Sequence, residues 1–122
     1  MGHDIRPLRP EDSPDAIALL DQALLAFDRD EIRNPDDTTF CFGAFDGEHM
    51  RGVVYGKDSH IEAIAVKPRY RRQGIASALI DTIVDHCTEV TAEFGPRNRS
   101  FYEACGFEIT ETSYGHLHGH LD

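Results

Sequence analysis

Apolar residues recur with two different periods along this chain, and the changes of period mark out its elements. His3 to Leu8 reads as a short first strand. Ser13-Pro14 offers a helix start, a capping hydroxyl followed by a proline whose missing N–H costs nothing there. Ile17, Leu20, Ala23, Leu24 and Phe27 then recur at helical spacing, which predicts an amphipathic helix over residues 14–28. Asn34-Pro35-Asp36-Asp37 is a breaker loop. Residues 39–45 and 50–56, rich in aromatic and β-branched groups, predict two strands joined by a turn at Asp46-Gly47, and residues 59–66 predict the next. After Gly74, Ala76, Leu79, Ile80, Ile83, Val84 and Cys87 form one continuous apolar stripe of a helix. Val90 to Phe94 reads as a short strand. Asn98 can cap a brief helix over residues 99–105, which Gly106 would terminate. Phe107 to Thr112 and Gly115 to Leu121 read as two last strands. This order predicts an α/β fold, a mixed α+β sheet with helices on its faces, of about six to seven strands and three to four helices. The length suits a single domain over residues 1–122.

Composition narrows the class. Forty per cent of the 122 residues are hydrophobic, as in globular proteins. No apolar run approaches the ~18 residues that span a bilayer, and the N-terminus has no signal-peptide core. The expectation is a cytoplasmic protein with no membrane partner. The net charge is −10, which disfavours nucleic acid as a partner. Only Lys57 and Lys67 among the twelve basic residues are lysines. Two readings of the acid compete, attraction of a cationic amine and general surface solvation. The second is preferred, because the acidic residues are scattered; the densest run, Asp28 to Glu31, is interrupted by Arg29. Scarce lysine on an acidic surface resembles proteins from high-salt cytoplasms.

Cys41, Cys87 and Cys105 have neither metal-ligand nor redox-motif spacing and read as reduced buried thiols. His116, His118 and His120 alternate, but no residue is fixed by spacing to complete a metal site, so they read as a solvated edge strand or tail and no metal is expected.

Residues 61–76 carry the chemistry. An apolar strand runs into a basic turn with one glycine, and the turn opens into a helix. Amide hydrogens at a helix N-terminus face an anion and the helix dipole favours its charge. Gly74 allows close approach of the backbone. Arg69, Arg71 and Arg72 add charge beside a helix start, where cations oppose the dipole unless an anion is bound. A plain strand-to-helix connection with surface arginines is the competing reading. A phosphate-loop nucleotide binder is disfavoured, since Gly-Lys-Ser/Thr is absent and Lys67 precedes the loop.

Two segments together resemble the GNAT superfamily of acetyl-CoA-dependent N-acetyltransferases. Ile64 to Ala76 matches the pyrophosphate-loop pattern of Arg or Gln, two residues, Gly, one residue, Gly or Ala. Asn98 to Phe107 matches a C-terminal block of Asn, then Phe-Tyr-Glu, then Gly-Phe. The resemblance implies acetyl-CoA as co-substrate and an amine acceptor, small-molecule or protein, with homodimers frequent in the family. It implies that main-chain groups of Ile64, Ala65 and Val66 bind the pantetheine arm, with the Val66 N–H polarising the thioester. It implies that Arg71, Arg72, Gln73, Gly74, Ile75, Ala76 and Ser77 hold the pyrophosphate, and that Asn98 contacts the cofactor. Tyr102 is implied as general acid, with a packing tyrosine as the alternative. Candidate bases are Glu93, then Glu62, then His60; Glu62 shares a strand face with His60, Ile64 and Val66, which suggests partial burial. The stretches that shape acceptor specificity are short, which leaves a second reading, an acetyl-CoA-binding sensor with little catalysis.

Overall fold

The elements fall close to where the apolar periods put them. The computed structural model describes residues 4–23, 28–112 and 115–121. In chain order these are β1 (Asp4–Pro7), α1 (Ser13–Gln22), α2 (Arg29–Arg33), β2 (Thr39–Asp46), β3 (His49–Lys57), β4 (His60–Val66), α3 (Ile75–His86), β5 (Val90–Phe94), α4 (Arg99–Ala104), β6 (Glu108–Glu111) and β7 (Leu117–Leu121). The strands form one sheet in the order β1-β2-β3-β4-β5-β7-β6. Every neighbouring pair is antiparallel except β4 with β5.

Both faces of the sheet are covered. Leu79, Ile80 and Ile83 of α3 bury one face with Val54, Val90, Ala92 and Phe94. Ala16, Leu19 and Leu20 of α1 cover the other with Val53, Tyr55, Ala63 and Ala65. None of the helices is long and apolar enough to cross a membrane, among the described residues.

Several expectations need correction. Ser13 is the first residue of α1 and not its cap; the N-cap position is Asp12, which makes no capping bond. Its carboxylate instead accepts the Arg9 N–H at 2.9 Å and Arg6 Nη1 at 2.8 Å. The regular part of α1 ends at Gln22, and Leu24 and Phe27 lie outside the described residues, as does His3. The run from Asp28 to Glu31 is a helix start: the Asp28 carboxylate accepts the amides of Asp30 and Glu31 at 2.9 and 3.3 Å. Asn98 occupies the N-cap position of α4 without a side-chain capping bond. β7 is not an edge strand, because β6 pairs along its outer side. His116 precedes β7, and His120 Nε2 lies 3.0 Å from Glu89. Among the described residues, no group of three or more His, Cys, Asp or Glu could hold a metal ion.

Candidate functional site

The parallel pair β4–β5 is the least completed part of the sheet. It is in register only at His60 with Thr91 and Ile61 with Ala92. Beyond that the two strands part, while β4 stays paired with β3 as far as Val66. The Lys67 N–H donates to the Arg51 carbonyl at 2.8 Å. By antiparallel alternation Ala65 then spends its main-chain groups on β3, and Ile64 and Val66 turn theirs toward the gap. The Val66 carbonyl accepts Arg71 Nε at 3.2 Å. The Ile64 and Val66 amides are the donors left on that side, and Ala65 contributes none.

The turn after β4 ends at the N-terminus of α3. Pro68 to Tyr70 forms a single 3-10 turn. The Arg71 N–H closes it on the Pro68 carbonyl at 3.3 Å, which removes Arg71 from the row of available amides. The next amide with a main-chain acceptor is that of Ala78, on the Gly74 carbonyl at 3.0 Å. The amides of residues 72–77 therefore have no main-chain acceptor among the described residues. Gly74 has φ of 81°, and a Cβ added there would meet no protein atom within 4 Å. The glycine answers a backbone need and leaves open space beside it. Arg72 has φ of 64°, a conformation side chains rarely adopt.

Charge is distributed unevenly around this turn. Arg6, Arg9, Arg29, Arg51, Lys57 and Arg99 each have a carboxylate partner. Lys67, Arg69, Arg71 and Arg72 have none among the described residues, and neither do Arg33 and Arg97; what sets the turn apart is that its four lie together. On a chain of net charge −10, four cations in six positions without a counter-ion leave a local positive field for an anion. Two of them, Arg71 and Arg72, line a cleft of about 260 Å³ together with Val66, Tyr70, Gly74 to Ser77, and Phe101. A second cleft of about 270 Å³, between Pro7 to Pro10, Ile32, Pro35 and Phe40 to Phe42, holds only Arg9 and Arg33 as charged groups and no acid–base pair.

Tyr102, on α4, is only 4% exposed. Its ring stacks on Phe94 of β5, with centroids 4.0 Å apart, and meets Phe101 and Phe107 edge-on. Its hydroxyl has no hydrogen-bond partner among the described residues and is not sealed from solvent. Burial, with a smaller contribution from Cys105, pushes the phenol up to about 12.

The candidate bases lie on the side of the sheet away from α3. Val90, Ala92 and Phe94 point under α3, so Glu93 is on the opposite face, exposed and in register with His118. Glu62 departs from expectation. β3 and β4 shift register between Tyr55 and Gly56, so that Ile61 faces Gly56, Ala63 faces Tyr55, and Glu62 is the extra residue. The bulge breaks the period-two reading: Glu62 is exposed, whereas Ile64 and Val66 pack against the core under α3. The structure does not give Glu62 the expected burial. His60 Nδ1 is 2.7 Å from Thr91 Oγ1, tying β4 to β5 where the strands still pair.

One group near these bases was passed over in the sequence. Tyr55 of β3 is buried, and its phenol is raised by burial first and then by Glu31, with Glu62 and Asp28 adding to it. The sequence places Tyr55 in the predicted strand 50–56 and carries the acid run Asp28 to Glu31, but nothing local connects the two.

A family model described as the acetyltransferase (GNAT) family matches residues 3–107. Among solved structures, the ribosomal-protein-S18-alanine N-acetyltransferase of Escherichia coli superposes with a TM-score of 0.82 at 20% identity, over 98% of this chain and 92% of its own. Ard1 of Thermoplasma volcanium gives 0.76 at 22%, over 98% and 95%. The PaiA N-acetyltransferase of Thermoplasma acidophilum, solved in complex with coenzyme A, gives 0.77 at 18%, over 98% of both chains. These likenesses establish the shared fold. This chain spans nearly the full length of all three.

Proposed function

The chain belongs to the GNAT acetyltransferase family, and on that premise we propose that it transfers the acetyl group of acetyl-CoA to a primary amine by direct attack within a ternary complex. Acetyl-CoA is the co-substrate typical of the family. The observation that carries the reading is the row of free amides at residues 72–77 beside four cations without counter-ions. An anion with two phosphates suits that arrangement.

In this proposal the amides from Arg72 to Ser77 hold the diphosphate, the guanidinium groups of Arg71 and Arg72 and the Gln73 side chain add contacts, and the Ser77 hydroxyl contributes a donor. Asn98, whose side chain makes no capping bond, is left for the cofactor. The pantetheine arm takes the unpaired side of β4 at Ile64 and Val66. Ala65 supports it by holding β4 to β3.

The amine loses its proton to Glu93, directly or through water, with Glu62 as the second candidate. Its lone pair attacks the thioester carbonyl, and the Val66 N–H stabilises the oxygen as it gains charge. The C–S bond then breaks, and the Tyr102 hydroxyl donates to the departing sulfur. A full proton transfer from a phenol near 12 to a thiolate whose acid has a pKa of about 8.5 runs about 5 kcal/mol uphill. Tyr102 therefore relays a proton and does not surrender one: its hydroxyl donates to the departing sulfur as it takes up the proton that the attacking nitrogen sheds on becoming an amide, so coenzyme A leaves as the thiol.

The test is release of free coenzyme A from acetyl-CoA with a panel of amines, run at pH 7 and above pH 8. The second pH matters because an alkylamine of pKa about 10.4 is less than a thousandth neutral at pH 7. Turnover with at least one amine is expected. Glu93→Gln should lower kcat by roughly 10²–10⁴; if only Glu62→Gln does so, the roles of the two carboxylates are exchanged. A protein that calorimetry shows not to bind coenzyme A would overturn the proposal. Coenzyme A binding without turnover on any amine would favour the sensor reading.

A further inference from the structure

Arg51 lies outside the cleft, yet it meets the loop from beneath. β3 pairs with β2 through a bulge in which Ala44 faces Gly52 and Phe45 faces Met50, so Arg51 is the inserted residue. Its carbonyl accepts the Lys67 N–H at 2.8 Å, just before the turn begins. Its guanidinium carbon lies 4.5 Å from the centre of the Tyr70 ring, and Tyr70 lines the cleft. Asp46 Oδ2 fixes the Nη2 end at 2.6 Å. The Nε is sealed from solvent with no hydrogen-bond partner, a costly state for a donor. The next residue, Gly52, passes so close to α3 that a Cβ would come within 2.9 Å of the Ile75 side chain. One short piece of β3 thus supports the loop at both of its ends.

The Tyr70 ring is addressed by a second cation, since the Arg69 guanidinium carbon is 5.4 Å from the same centroid. Arg51 is balanced by Asp46, whereas Arg69 has no carboxylate partner among the described residues, so the ring carries one uncompensated cation that an anion bound in front of it neutralises. Given that the cleft takes the diphosphate of coenzyme A, as proposed above, we infer that Arg51 is a positioning residue for diphosphate binding. It holds Tyr70 through the guanidinium that lies over its ring and thereby sets the turn from which the row of free amides starts.

The test uses two ligands that differ in the diphosphate. Coenzyme A is titrated calorimetrically into wild-type protein, Arg51→Met and Arg51→Lys; S-acetylpantetheine, which lacks the diphosphate, is read by the rise it causes in melting temperature. Arg51→Met should weaken coenzyme A about tenfold. Arg51→Lys keeps the charge but loses the plane and should stay several-fold weaker than wild type. The S-acetylpantetheine response should be unchanged in both. Unaltered coenzyme A affinity in Arg51→Met, full recovery in Arg51→Lys, or equal loss of both ligands would overturn the inference. If Arg51→Met does not fold, Arg51→Lys decides the matter alone. Failure of the wild type to bind coenzyme A is a different result, which overturns the reading of the cleft itself.

Discussion

Replacing Arg72 by glycine should make the protein more stable and a poorer binder of coenzyme A. With φ of 64°, Arg72 occupies the left-handed region, which costs a residue bearing a Cβ about 1–2 kcal/mol. It is exposed and has no carboxylate partner, so nothing within the protein offsets that strain. Glycine removes the strain but gives back about 0.5–1 kcal/mol through its freer unfolded chain. The net gain is roughly 0.5–1 kcal/mol, or about 2–4 °C in melting temperature for a chain of this size. Against this, the diphosphate loses one charge-assisted hydrogen bond worth about 1.5 kcal/mol, close to a tenfold rise in Kd. Scanning calorimetry without ligand and titration calorimetry with coenzyme A read the two effects separately. Arg72→Ala is the control: it should weaken binding equally with no gain in melting temperature, because its Cβ keeps the strain. A lower melting temperature in Arg72→Gly would refute the strain argument, and an unchanged Kd would refute the contact with the diphosphate.

Other expectations follow from named groups. Hydrogen bonding from Arg6 above all holds the Asp12 carboxyl below its ordinary value, so its contribution is present above about pH 4 and is lost as the pH falls further. Asp12→Asn should melt earlier than wild type at pH 7, with the gap closing below pH 4; a gap that persists in acid would count against the ion pair. Tyr102 is raised to about 12, above the ~10 of an unfolded chain, so its contribution is present below pH 10 and is lost as the pH climbs toward 12. Tyr102→Phe should lack that portion of the alkaline destabilisation, and should lose turnover by about 10²-fold or more with coenzyme A affinity kept; unchanged turnover would remove it from the chemistry. With a net charge of −10, the melting temperature should rise from low to molar salt as self-repulsion is screened; a flat response would argue against the high-salt reading of the surface.

What the sequence made legible was what local physics decides alone. The stripe from Ala76 to Val84 is long enough to declare its period, and α3 forms there. Val90 to Phe94 is bounded by polar residues and a glycine, and β5 has those limits. Residues 29–33 make too few turns to show a period, so α2 was missed although Asp28 followed by Asp30 and Glu31 is a capping pattern. Glu62 was misplaced because alternation assumes an unbroken pleat, and the bulge that breaks it depends on how β3 pairs. The same limit hid Arg51, whose role needs β2, β3 and the loop together. Nor did anything in the residue types around Arg72 announce a left-handed backbone, since that region favours glycine and Asn.

The early parting of β4 and β5 has a mechanical consequence. The sheet is in effect two blocks, one of four strands and one of three, joined by a short seam and by the helix laid across it. A thioester arm seated in the seam, as proposed above, would act as a splint between the blocks. Amide exchange in the empty protein should accordingly be fastest along the inner sides of these two strands, and should slow on both when the splint is in place.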